Sequence, residues 1–160
     1  MYSFAGRADT RVMDEPLFGH FLSHTGVSRP SREEVMATMP TSRAAALGTL
    51  QPHPTDQVLF LKHMANHLEG LSWSDVDGPN HRHVILTRHP DGVLPSYGAH
   101  IAHPTMLDLG YAHQHSILQH AEDRAVVVTA ESLFAQPEHT LRALCDALDL
   151  PWDAGMLTWQ

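Results

Sequence analysis

Arg88 follows the apolar run His83-Val84-Ile85-Leu86-Thr87, and Ser96 comes eight residues later, across His-Pro-Asp-Gly-Val-Leu-Pro. An arginine leaving a buried strand offers a planar fork of donors that suits a phosphate. If the segment after His89 is helical, Ser96 lies roughly 9 Å along it, a gap that an extended arginine side chain largely covers. One oxyanion then touches both the guanidinium and the hydroxyl. The ordinary alternative is a salt-bridged arginine and a serine facing solvent. A second apolar run, Val58-Leu59-Phe60-Leu61, ends in Lys62 and His63. Lys62 is the one lysine in a chain with nine arginines, which singles it out as a compact, movable charge. His63 beside it at the strand end, and Glu15 in the acidic turn Asp14-Glu15-Pro16 that follows a short strand from Thr10, complete a set of groups with chemistry to offer. The plain alternatives are a surface charge at Lys62, a helix-start polar residue at His63 and a turn carboxylate at Glu15.

Other groups carry less. His63 and His67 are four apart but lack the intervening glutamate of a zinc-hydrolase motif. His100 with His103 and His113 with His115 are similar pairs, in a chain of fourteen histidines. No metal ligand set is expected from them. Cys145, the single cysteine, falls on the apolar face of a helical segment and reads as a buried small side chain.

Elements must hold these residues in place. A short strand from Thr10, then Val58–Lys62, His83–Thr87 and Arg124–Ala130 read as strands. The segments 31–39, 63–71, one from Pro90, 107–123 and 136–150 read as helices, and 1–6 as the tail of one. Ser31 with Glu34 has the spacing of a capping box. Pro90 suits a first helical turn, and Pro95 should bend or shorten that helix. Leu141, Leu144, Cys145 and Leu148 keep the 3.6-residue period. Residues 50–57 read as a connection. Apolar strands alternating with helices predict one α/β domain, three-layered, with a mostly parallel sheet covered on both faces. Ligands of such sheets bind beyond the carboxyl ends of the strands, where Arg88 and Lys62 both sit.

A formal net charge of −8 argues against a nucleic-acid partner. No apolar run is long enough to span a membrane. The single cysteine and the lack of a secretory signal at the start of the sequence point to a cytoplasmic protein.

The segment Ile85–Tyr97, "ILTRHPDGVLPSY", resembles the Arg-x-Pro…Ser-Tyr segment of the sulfotransferase family. "VVVTAESLFAQPEHTLRALCDALDLPWD" is similar to that family's C-terminal region, and "TRVMDEPLF" to the second strand of a bacterial and plant branch, some of whose members carry aminotransferase-like names. The resemblance implies a P-loop-like nucleotide-binding fold. It also implies a co-substrate, 3′-phosphoadenosine 5′-phosphosulfate, whose 3′-phosphate is bound by Arg88 and Ser96, and a small-molecule acceptor for the sulfonate group. For sulfuryl transfer the resemblance implies Lys62 as a charge stabiliser near the bridging oxygen, His63 as candidate base, and Glu15 as a base or a group that orients the acceptor. In relatives a lysine and a histidine two residues apart end the strand matching Val58–Lys62; here His63 follows Lys62 directly, which puts the histidine's role in doubt. A Schiff-base role for Lys62 is not favoured, because no phosphate cup or pyridine-nitrogen partner is recognisable.

One family element has no counterpart. No first strand with a glycine- and serine-rich loop cradles the 5′-phosphosulfate, and the start of the chain resembles the second half of the helix after that loop. The expectation is therefore a single domain over 1–160, truncated at its N-terminus, with little or no transferase activity of its own. The strands at 58–62 and 83–87 then pair directly, leave a gap, or take a strand from elsewhere. Two rival readings follow: a non-catalytic α/β module that associates, as a homo-oligomer, through an exposed sheet gap, and a histidine-metal hydrolase.

Overall fold

A computed structural model describes residues 1–50, 57–99, 101 and 103–158. Four short parallel strands carry the fold. β1 (Thr10–Asp14) pairs with β2 (Val58–Lys62), Thr10 opposite Val58 and Asp14 opposite Lys62. β3 (His83–Thr87) pairs with β4 (Ala125–Thr129), His83 opposite Ala125 and Thr87 opposite Thr129. All four are where the apolar runs predict. They form two separate two-stranded sheets, and β2 is not bonded to β3. The single sheet expected from the sequence is thus absent among the described residues, and the alternative of a gap describes the arrangement.

That split also corrects the expectation of strands buried on both faces. Every residue of β2 is only half-buried, and Leu86 on β3 and Val127 on β4 are 54% and 48% exposed. A continuous sheet would cover more of both strands. Leu86 lies on the face of Val84 and Val128, and Val127 on the opposite face with the buried Ile85, so the exposure is not confined to one side. Phe4, Val128, Leu141, Leu144, Cys145 and Met156 form the core, and Val12, Phe60, Val84 and Val126 pack against it. Alternation along each strand places these side chains on one side, so one apolar cluster underlies both sheets.

The helices arise from familiar signals, with exceptions. α1 (Tyr2–Ala5) buries Phe4, which stacks on Phe60 at 4.1 Å. α2 (Phe18–Thr25) buries Phe21 and Leu22 and ends on Gly26, whose φ of 68° is the left-handed conformation of a helix stop. α3 (Arg32–Thr38) exists, but Ser31 before it has a φ of 57° and makes no capping bond; a capping serine needs extended backbone. α4 (Arg43–Gly48) is capped by Ser42. Neither α2 nor α4 was visible in the sequence pattern. The expected helix over 63–71 is one 3₁₀ turn, Ala65–Leu68, followed by α5 (Trp73–Val76), which has the capping box of Ser72 and Asp75. α6 (Pro90–Gly98) runs three residues beyond Pro95, so that proline does not shorten it. The helix expected over 107–123 breaks at Gly110, φ 70°, into α7 (Met106–Leu109) and α8 (Tyr111–Ala121). α9 (Ala130–Ala135) precedes α10 (Pro137–Ala147). α10 buries Leu141, Leu144 and Cys145, as the period predicts. The connection expected over 50–57 lies almost wholly outside the described residues. No described helix is long and apolar enough to cross a membrane.

Candidate functional site

Arg88 lies one residue beyond β3. His89 caps α6 by accepting from the Asp91 N–H at 3.3 Å, and Pro90 fills the first helical position. The strand exit is fixed by α8: the Tyr111 hydroxyl donates to the Arg88 carbonyl at 2.7 Å, and the Gln114 amide donates to the Leu86 carbonyl at 3.3 Å. The Arg88 side chain folds back over α6. A β-carbon on Gly92 would sit 2.6 Å from its Nε and 3.0 Å from its Cζ. The guanidinium therefore rests on the helix backbone at Gly92. Ser96 is four residues further, on the same helix face and about 5–6 Å along it.

Both groups are exposed, and among the described residues neither the guanidinium nor the Ser96 hydroxyl has a hydrogen-bond or ion-pair partner. Glu131 is the carboxylate whose field the guanidinium reaches. It is held at the head of α9, where its own backbone and the His89 N–H lower its pKa, and the Arg88 charge adds to this. Arg88 is thus neither caged nor turned away from Ser96.

The second group stands at the ends of β1 and β2. Glu15 has a φ of 47°, rare for a non-glycine residue. Its N–H donates to the Lys62 carbonyl at 2.8 Å, and its own carbonyl accepts from the Phe18 N–H at 2.9 Å. That conformation turns its carboxylate onto the Lys62 ammonium as an ion pair, with Asp14 at 3.3 Å. Burial disfavours the Lys62 charge, but Glu15 and then Asp14 outweigh it and raise the lysine's pKa. The amino group of Met1 is also in range: burial, then the Lys62 charge, lowers its pKa against the pull of Asp14.

His63 is neutral at physiological pH. Burial, with Lys62 adding to it, brings its pKa down to about 4, and its Nδ1 is buried without a partner. His67 is stacked on Phe18 and lies tilted against Phe21, each at 4.9 Å between ring centres. Its pKa falls to about 3 through burial, then the charges of His63, Lys62 and Arg29.

Tyr97 follows Ser96 on α6 and is half-buried where Ser96 is exposed. Burial raises its pKa, and its phenol feels Arg29, Asp108, Glu15 and Lys62. Arg29 and Asp108 form an ion pair, and Asp108 is buried and held by Thr105 in a capping box.

The structure thus brings Lys62, His63 and Glu15 together at one strand end, and Arg88 and Ser96 onto one helix face at another. Tyr97, Tyr111, Gln114 and Gly92 were missed. Only Gly92 had a sequence signal, a glycine inside a helical segment with no turn to explain it. Among the described residues no three histidine, cysteine or acidic groups converge as metal ligands; His100 lies outside them. His113 instead pairs with Glu69 at 2.9 Å. Cys145 is a buried free thiol that donates to Met156 Sδ at 3.5 Å and accepts from Arg7 Nη1 at 3.8 Å, its pKa raised by burial.

Two plant proteins align with the whole chain. Branched-chain-amino-acid aminotransferase-like protein 1 of Arabidopsis thaliana is 37% identical over 165 residues. Branched-chain-amino-acid aminotransferase-like protein 2 of the same plant is 36% identical over 166. The chain spans 29% of the length of each. The sequence pattern of the sulfotransferase domain matches residues 1–160. The chain, with its paired parallel strands and its Arg88–Ser96 helix face, belongs to the sulfotransferase domain family.

Proposed function

We propose that this chain carries donor-binding and proton-handling residues for transfer of a sulfonate group from 3′-phosphoadenosine 5′-phosphosulfate to the hydroxyl or amine of a small-molecule acceptor. The observation that supports this best is the Arg88 guanidinium lying unpaired over Gly92, one turn before the exposed Ser96. These two groups suit the donor's 3′-phosphate. The donor, when bound, supplies the activated sulfonate and a bisphosphate leaving group. Lys62 provides positive charge at a neighbouring strand end, and Glu15 holds that charge ready. His63, unprotonated at neutral pH, or Glu15 accepts the acceptor's proton. The cytoplasm is the compartment that goes with this reading.

The test is calorimetric titration with adenosine 3′,5′-bisphosphate, for the chain and for Arg88→Ala. Charge-assisted hydrogen bonds contribute about 2 kcal/mol, so the variant binds roughly thirty-fold more weakly. Equal affinity in the two, or no binding by either, refutes the assignment.

A second reading, association of copies through the strand edges, draws support from β2 and β3, which are not bonded to each other, and from the exposed Leu86. Unpaired edges are templates for another strand. Size-exclusion chromatography with light scattering distinguishes a dimer from a 17.8 kDa monomer.

A further inference from the structure

We propose that Gly92 is a positioning residue: the space where its side chain would be is the seat of the Arg88 guanidinium, and it keeps that group on the Ser96 face of α6. The proposal rests on the reading of Arg88 and Ser96 as anion ligands.

A glycine inside a helix weakens it relative to alanine, so it calls for a reason. The backbone gives none, because Gly92 is not among the residues with positive φ. The space does. Three atoms of the Arg88 side chain, Nε, Cζ and Nη2, lie 2.6, 3.0 and 3.2 Å from where a β-carbon would stand. Restoring ordinary contact moves the guanidinium about 1 Å or more. The obstructed atoms are the far end of a flexible side chain, so the helix accepts alanine and the guanidinium gives way. Gly92 and Ser96 are four apart and share a face. A side chain at 92 would stand between Arg88 and the hydroxyl, whereas glycine leaves an open shelf that an oxyanion can span.

Gly92→Ala tests this with two readouts. The first needs no ligand: the Nε–H resonance of Arg88 in a ¹H–¹⁵N spectrum shifts in the variant, while the melting temperature holds or rises. The second is titration with adenosine 3′,5′-bisphosphate, in which Gly92→Ala binds at least ten-fold more weakly than the unaltered chain. If Arg88→Ala loses binding but Gly92→Ala keeps it, the positioning role is overturned and the anion site stands. If the unaltered chain does not bind, the reading of the site fails; an Arg88 resonance unchanged in Gly92→Ala then overturns the positioning role as well, and a shifted one supports it.

Discussion

Acid should loosen this protein well above the pH at which its carboxylates protonate. His63 and His67 are buried and neutral, with pKa values near 4 and 3 in the folded chain, against about 6.5 when unfolded. The folded values are depressed, so the stability they allow is fully present above pH 6.5 and is lost as the pH falls toward 4. Taking the two independently, at pH 5 each reduces stability by about 2 kcal/mol relative to pH 8, or about 4 kcal/mol together. That is a large part of the roughly 5–15 kcal/mol that holds a domain folded. Carboxylates with lowered pKa values, such as Asp9, Asp77 and Asp108, lose their contribution only below about pH 4, so the two windows separate. His67→Phe isolates one histidine. Phenylalanine keeps the ring contacts with Phe18 and Phe21 and removes both the titration and an unpartnered Nδ1. Urea unfolding followed by far-ultraviolet circular dichroism at pH 8 and pH 5 measures the difference. The variant should lose about 2 kcal/mol less than the unaltered chain, a change in the midpoint shift of about 1 M. Equal losses in both proteins would refute the account of His67 as a buried neutral group.

Two further predictions concern stability. Asp77 is 8% exposed at its side chain and accepts two bonds from Arg124 at 2.7 Å and one each from His83 and His120 at 3.0 Å. Asp77→Asn should cost about 3 kcal/mol and lower the melting temperature by roughly 8 °C in scanning calorimetry; a change near zero would show that the knot is not stabilising. Ser31 occupies the left-handed region without using its hydroxyl as a cap. Ser31→Gly should therefore stabilise by about 0.5–1 kcal/mol, read as a rise of about 2 °C, and a fall would mean that the serine makes a contact of value.

The parts that could be read in sequence were those with a one-dimensional signal. Four apolar runs became four strands, and the spacing of Leu141, Leu144 and Cys145 marked a buried helix face. Arg88 and Ser96 were legible because one strand end and one helix place both. Local rules failed where tertiary structure set the backbone. Ser31 has capping spacing but left-handed φ, and Gly110 breaks a helix that periodicity would continue. The Lys62–Glu15 pair joins residues 47 apart in sequence, and only the register of β1 on β2 makes them neighbours. The absence of a β2–β3 ladder could not be decided from strands that each look fit for a sheet interior.

That absence bears on how the two halves communicate. Lys62 and Arg88 end strands of different sheets, and what joins those sheets is the apolar cluster of Val12, Phe60, Val84, Val126 and Val128 beneath them. Hydrogen-bonded strands lock in register, because a slip of one residue breaks every bond. Greasy contacts have no such teeth; they are non-directional. The separation between the ammonium of one half and the guanidinium of the other is therefore governed by a cushion and not by a ratchet.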